Sequence, residues 1–507
     1  MLQSRTVGLA LAWIALGLTV AMVAIAAIRD LSWLVYAVQA VKYPFALDIA
    51  EGIVWQQATM IPGSDMYGDI ARYPWIVFHY PPLYHLTVRA LSTLGLDWLI
   101  AGRAVSLAAT IATGPSIALL VLRAAPAQWD NRAKIAGAAT AGLMYFCFDA
   151  TIEWSSYFRV DTLGMLFIVL GLCLATAREN GNRLLYLGIA AFTAAVYTKQ
   201  TNLPAAIATV AVLAFATPKR ARNACVFGIV LAGGLLIVMI AMTKGGFIRH
   251  LLFYNINRFE WRAAYWFLLK EHGLAGFAAL AALGVPIWWY AMTRHRAPGP
   301  RAWLLADPRR RAGAILTLWL VLSTCSLIML GKFGANRNYM LEWIGAVCVF
   351  SGIAIAWLTH ISVSAIRGAG TNLPALIGAA ALACTGLTQT AVLKLTRNSS
   401  IYDTTQIAEL QILLTRVRAE PGPVLSDDMT MLMKSGKNVP WEPGIFRELA
   451  LLGVWDEQPL LDMIAAKQFS AIVEADPTNW NDTVRAAIVR SYSPTGSLGG
   501  RTIFRPR

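Results

Sequence analysis

Long apolar runs separated by short polar turns dominate the chain. Runs at about 7–28, 101–122, 135–152, 161–177, 184–198, 203–217, 223–243, 273–292, 312–330, 341–359 and 374–393 hold few charges. Most approach or reach the about 17 to 25 residues a helix needs to cross a hydrocarbon layer of about 30 Å. The pattern predicts a polytopic α-helical membrane protein with about eleven transmembrane helices. The first run exceeds the about 7 to 15 residues of a signal-peptide core, so it reads as a retained span. Residues 29–100 then form a long first outer loop. Its two half-apolar stretches, 31-LSWLVYAVQAV-41 and 82-PLYHLTVRALSTLGL-96, are expected to lie as helices in the membrane interface. Beyond about Lys394 short strand patterns (423-PVLSD-427, 470-SAIVEAD-476) alternate with helical ones (445-IFRELALLG-453, 459-PLLDMIAAK-467). The division is therefore a membrane module at 1–394 and a small α/β domain at 395–507.

Composition agrees with this reading. Hydrophobic residues make up 57% of the 507 and charged ones 14%, where a soluble domain carries about 25% charged. The net charge of +15 is of the kind that attracts nucleic acid. Its distribution argues otherwise. The cations gather in alternate turns: Arg123, Arg132 and Lys134; Arg178 and Arg183; Lys219, Arg220 and Arg222; and the stretch 294-RHRAPGPRAWLLADPRRR-311. Cations so placed orient the chain with these turns inside, and no nucleic-acid partner is inferred. The other turns and the C-terminal domain then lie outside, as on the periplasmic face of a bacterial inner membrane. Treating 82–96 as a span would put the arginine-rich turns outside, and is rejected on charge. The six cysteines all fall in apolar runs without CxxC spacing, so no disulfide framework or zinc site is expected.

Charge inside a span is costly, so the positions of the remaining polar residues carry information. They collect at the outer ends. The first loop holds Asp48, Glu51, Arg72 and His79-Tyr80; the next outer turn holds Glu153, Arg159 and Asp161. Lys199 follows, then Arg258, Glu260 and Arg262, and finally Lys332, Asn336, Arg337, Asn338 and Glu342. Carboxylates converging there suit the positioning of a sugar and the acceptance of a proton. Lys and Arg suit the binding of a phosphate. Taken singly, each has a plainer role as a headgroup anchor, a cap or a turn residue.

In order along residues 5–395, several short elements resemble the GT-C glycosyltransferases, membrane enzymes that use polyprenyl-phosphate sugars. These include protein O-mannosyltransferases, lipid A aminoarabinose transferases and rhizobial galacturonosyltransferase-like proteins. The elements are 48-DIAEG-52, Pro62-Gly63 with Tyr67, 79-HYPPLYH-85, 159-RVD-161, 198-TKQT-201 and 338-NYMLE-342. The resemblance implies an inverting transfer from a polyprenyl-phosphate sugar to a lipid, glycan or protein hydroxyl at the outer face. Asp48 matches the catalytic acid, with Glu51 beside it. Lys199 and Arg337, then Arg258 and Arg159, are the candidates for the donor phosphate. His79, Tyr80, Asp161, Glu153, Asn336, Asn338 and Glu342 are the candidates for the sugar or acceptor. No cofactor is expected; some relatives use a divalent metal, but no tight carboxylate cluster calls for one. The competing readings are a lipid-linked sugar transporter or flippase and an O-antigen ligase-like enzyme. A transporter would place polar groups at mid-membrane in repeated halves, and a ligase would carry its large outer loop late in the chain.

Overall fold

The computed structural model describes residues 2–178, 181–255, 257–270, 274–294, 297–368, 372–392 and 403–507. The boundary expected at Lys394 lies outside these residues, as do residues 295–296 of the arginine-rich turn. All eleven apolar runs coincide with helices. Seven of these helices, from Arg5–Lys42 to Leu373–Ala391, are long and apolar enough to cross a bilayer. Asp161–Ala175, Arg183–Thr198 and Pro204–Ala216 are apolar but shorter, and Asn131–Met144 has 14 residues. A count of about eleven full spans is therefore not established by length among the described residues. Three of the short helices are cut at polar turns, and the residues at those ends, Asp161, Lys199 and Pro204, line a cavity.

The first helix corrects an expectation. It runs unbroken from Leu2 to Lys42, so 31–41 is its continuation and not a separate interfacial helix. No Gly or Pro interrupts residues 18–43. The charges at Arg29 and Asp30, where hydropathy ends the span, are accommodated within the bundle. Arg29 Nη2 donates to the carbonyl of Ala391 at 3.3 Å, and Cys147 Sγ lies 3.6 Å from Asp30 Oδ1. Its 41 residues extend about 60 Å at 1.5 Å per residue, well beyond a bilayer core. Residues 82–96 do form a short amphipathic helix, Leu83–Thr93, which buries Tyr84, His85 and Val88.

The helix Trp98–Ala124 fixes the two ends of the bundle. Near its start Arg103 meets Glu51; near its end Arg123 joins the predicted inside cations. At that end Arg367 pairs with Asp130 at 2.6 Å, and Arg220 Nε donates to Asn182 Oδ1 at 3.0 Å.

The C-terminal region has the expected strands and helices, as β1 (Val424–Ser426), β2 (Ala471–Glu474), Pro443–Leu451 and Gln458–Ala465. It adds β3 (Tyr492–Leu498) and β4 (Arg501–Pro506), joined through Gly499-Gly500, both at positive φ as a tight hairpin requires. The sheet order is β1-β2-β4-β3, with β1 and β2 parallel and the other pairs antiparallel. The sheet region shares its core with the loop at 61–82: Ile70, Trp75 and Val77 pack in one cluster with Trp441, Phe446 and Trp455. Gln56 exchanges hydrogen bonds with the backbone of Val439, and the N–H of Trp75 donates to Pro440 at 2.9 Å. A Cβ on Gly52 would lie 2.1 Å from the backbone carbon of Met429. The glycine of 48-DIAEG-52 is thus a point of backbone contact between loop and domain.

Candidate active site

Asp48 follows the first helix and precedes the helix Glu51–Met60. Its Oδ2 accepts from Arg159 Nη1 at 3.0 Å and from the N–H of Ala50 at 3.1 Å. No partner within hydrogen-bonding distance occupies its Oδ1 among the described residues. Burial pushes the Asp48 carboxyl above the usual carboxylate range, and the Arg159 charge opposes that push. Glu51 is different. Its carboxylate is 0% exposed and gripped by the Arg103 guanidinium, Nε to Oε1 at 2.8 Å and Nη2 to Oε2 at 2.6 Å. The N–H groups of Leu47 and Phe158 also donate to it, each at 2.8 Å. Four donors leave little room for a substrate, and Glu51 lines neither of the cavities that meet at Asp48. The structure therefore corrects its assignment as a reacting group: Glu51 is a fixed internal ion pair that shapes the turn carrying Asp48.

Two cavities meet at Asp48. The first, of about 260 Å3, is lined by Asp48, His79, Tyr80, Trp154, Arg159, Lys199, Gln200, Asn255, Asn257, Lys332, Asn336, Tyr339 and Glu442 among others. It shares Lys199, Gln200, Thr201, Met329 and Tyr339 with a larger, mostly apolar groove of about 500 Å3. Met165, Ile168, Leu203, Ile207, Leu322, Ile328 and Leu341 line that groove, with Asp161, Asn202, Ser323, Asn338 and Glu342 among its polar members. The second cavity at Asp48, about 410 Å3, lies against the C-terminal domain, with Asp427, Asp428, Asp476, Asn479 and Arg501 in its wall.

The cations of the first cavity are not equivalent. Lys199 is paired with Asp161 at 2.7 Å, and its ammonium sits 4.1 Å from the centre of the Tyr339 ring. Asp161 also accepts from Asn338 at 2.8 Å. Arg159 is shared between Asp48 and, at 3.9 Å, Asp161, and its Nη2 donates to Tyr80 at 3.3 Å. Lys332 has no carboxylate partner among the described residues; its Nζ donates to Asn255 Oδ1 at 3.0 Å. Burial, then the nearby Lys199 charge, lowers its pKa to about 8. Lys332 lines the cavity as a cation with no carboxylate opposite it among the described residues.

The remaining candidates divide. His79 binds Glu442 at 2.8 Å, and Tyr80 and Asn336 line the same cavity. Tyr67, held at φ 53, donates its hydroxyl to the carbonyl of Tyr80 at 2.8 Å and fixes that strand of loop. Arg337 and Glu153 pair with each other at 2.7 Å and line none of these cavities. Arg258 grips Glu448 with two bonds of 2.9 and 2.8 Å, holding the C-terminal domain to the 254–262 turn. The geometry therefore sets Arg337, Glu153 and Arg258 apart from the site, because none of them lines the groove or either cavity at Asp48. Glu342 accepts from the Trp319 indole at 2.8 Å in the groove wall. Among the described residues no three His, Cys, Asp or Glu side chains gather as a metal site.

Sequence reasoning left Lys332, Trp154, Asn255, Asn257 and Glu442 without a role, and Gln200 only as part of a quoted turn. A lysine in a Gly-rich turn, 331-GKFG-334, gave one usable signal for Lys332. Arg103, a lone charge inside an apolar run, gave another for the partner of Glu51.

No family model and no curated protein sequence matches the chain. Its fold, however, is found among solved structures. It is a helical bundle with, among the described residues, seven helices long and apolar enough to cross a membrane. The chain is similar to ArnT from Cupriavidus metallidurans bound to undecaprenyl phosphate, at 14% identity and a TM-score of 0.58, covering 95% of this chain and 97% of that one. Its apo form aligns at 13% identity and a TM-score of 0.57 over the same shares. The oligosaccharyltransferase AglB from Archaeoglobus fulgidus, with an inhibitory peptide and dolichol phosphate, aligns more distantly, at 10% identity and a TM-score of 0.48 over 93% of this chain and 74% of that one. The similarity to these solved structures is one of fold.

Proposed function

We propose that this chain is a glycosyltransferase that moves a sugar from a polyprenyl-phosphate donor to an acceptor hydroxyl, with inversion, at the extracytoplasmic face. One observation carries the reading: Asp48 lines both a cation-bearing cavity, which shares lining residues with an apolar groove, and a second cavity. ArnT was solved with undecaprenyl phosphate, and a lipid phosphate of that kind suits this layout. Its chain fits the groove beside Ile207 and Leu322, and its phosphate lies near Lys332 and Lys199. The acceptor reaches Asp48 from the cavity against the C-terminal domain.

In the step itself, the acceptor hydroxyl gives its proton to Asp48 Oδ1 as its oxygen attacks the anomeric carbon. The bond from that carbon to the phosphate oxygen breaks, and the electron pair leaves with the lipid phosphate. Lys332 and Lys199 hold the charge that develops there. One carboxylate and one displacement invert the anomeric centre. Arg159 has a positioning role, holding Asp48 Oδ2 so that Oδ1 faces the acceptor. The upward push on Asp48 makes it a better base than a solvated aspartate, and transfer falls as pH is lowered through its raised pKa.

The test is acceptor-dependent release of undecaprenyl phosphate from undecaprenyl-phosphate sugars by the full chain in nanodiscs. Membrane extract supplies the acceptors, and Asp48→Asn serves as the control. Sidedness is checked with Ser64→Cys, expected to react with an impermeant thiol reagent from outside, and Ala306→Cys, expected not to react.

A further inference from the structure

A second apolar groove, of about 470 Å3, lies at the other end of the bundle from Asp48. The helices Trp98–Ala124, Asp161–Ala175 and Arg183–Thr198 supply most of its walls. Arg123, which lines it, is twenty residues beyond Arg103 on the first of these helices, about 30 Å away. Phe167, Leu170 and Leu174 of the second helix present large apolar side chains, while Ala190, Ala191 and Ala194 keep the wall of the third low. From Leu184 at the rim to Ala194 is ten residues of helix, about 15 Å. That is half of a hydrocarbon core of about 30 Å, the depth of one leaflet.

The rim of this groove is cationic. Arg123 is its one charged lining residue among the described residues. No described carboxylate pairs with it, and its Nε has no partner. Beside it, Arg178 Nη2 donates to the carbonyl of Leu122 at 3.4 Å. Burial, then the Arg309 and Arg123 charges, hold the Arg178 pKa below the ordinary arginine range. The described carboxylates nearby are committed, Asp130 to Arg367 at 2.6 Å and Asp307 to Arg309 at 3.6 Å. Glu179, next to Arg178 in sequence, lies outside the described residues. An anion at this rim relieves the repulsion among like charges, and an apolar tail covers the groove below it. A free phosphate leaves the apolar walls bare, and a lipid without net charge leaves the excess of cations unanswered. Basic pockets between membrane helices suit anionic headgroups. We propose that this groove holds one anionic phospholipid of the bilayer, with its phosphate at Arg123 and Arg178 and an acyl chain along Phe167 and Ala194. The site is separate from the one at Asp48 and goes beyond the glycosyltransferase reading.

The experiment takes the full chain, stripped of lipid in detergent, and titrates it with phosphatidylglycerol or phosphatidylcholine of identical acyl chains. Native mass spectrometry counts the molecules retained. One phosphatidylglycerol should bind about tenfold more tightly than phosphatidylcholine. Arg123→Gln, which removes the rim charge, and Ala194→Leu, which fills the groove, should each weaken that binding about tenfold. Arg5→Gln, at an exposed cation of the same end of the bundle, should change it by less than about twofold. Should Ala194→Leu fail to fold, Arg123→Gln carries the test alone. Equal binding of the two lipids overturns the proposal, as does phosphatidylglycerol binding that Arg123→Gln leaves intact. Competition by glycerol 1-phosphate, which has the phosphate without the chains, also overturns it. So does displacement of the bound phosphatidylglycerol by undecaprenyl phosphate at a lower concentration than by phosphatidylglycerol itself, since the occupant would then be a polyprenyl lipid.

Discussion

The two cavities that meet at Asp48 have opposite electrical character. The one that opens into the apolar groove carries Arg159, Lys199 and Lys332 against Asp48 and Glu442. The one against the C-terminal domain carries Asp48, Asp427, Asp428 and Asp476 against Arg501. A phosphate is attracted to the first and repelled by the second, so the two sides of one aspartate are marked for different ligands. That asymmetry comes from residues far apart in the chain. The basic side is built by turns at one end of the bundle, and the acidic side mostly by the loops after β1 and β2.

The largest expected effect tests the point where the cavities join. Asp48→Asn keeps the shape but cannot take a proton, and should lower transfer about 10^2- to 10^4-fold. Donor binding and the thermal melting profile should stay close to those of the parent chain. Next comes Glu51→Ala, which leaves the Arg103 guanidinium buried without its counter-charge; a loss of about 3–5 kcal/mol in stability is expected, read by chemical denaturation or by yield of folded protein. Equal behaviour of the two variants would erase the distinction between Asp48 and Glu51. On the basic side, Lys332→Ala should weaken undecaprenyl phosphate binding about 10- to 100-fold. Lysine is charged below its pKa, so binding by the parent chain should decline as pH rises through about 8. Lys332→Arg should flatten that decline. The smallest effect belongs to the acidic side. Asp476→Asn keeps the hydrogen bond to the N–H of Thr478 and removes one charge; it should change donor binding by less than about twofold.

Much of the fold was readable because each apolar run carries its own signal, independent of what it packs against. The same holds for the 423–427 and 470–476 strands, which became β1 and β2. The length of the first helix was not readable, since Arg29 and Asp30 look like the end of a span until Ala391 and Cys147 are seen beside them. At the site, Asp48 and Lys199 could be singled out from order and residue type. Asp48 and Glu51, three residues apart, look alike in sequence; only Arg103 and two backbone N–H groups separate their surroundings. Pairing also decides which cations are free. Arg337 and Arg258 were candidates for the phosphate where Lys332 was not, and only the structure shows Glu153 and Glu448 opposite them. His79 and Glu442 are 363 residues apart, a separation at which no local pattern in one chain can speak.

The most direct measurement is a density map of the full chain with undecaprenyl phosphate bound. The account predicts the phosphate within hydrogen-bonding reach of Lys332 and Lys199, the isoprenoid chain along Ile207 and Leu322, and Asp48 Oδ1 open toward the second cavity. A phosphate seated among Asp427, Asp428 and Arg501, or a lipid chain lying on another face of the bundle, would contradict it.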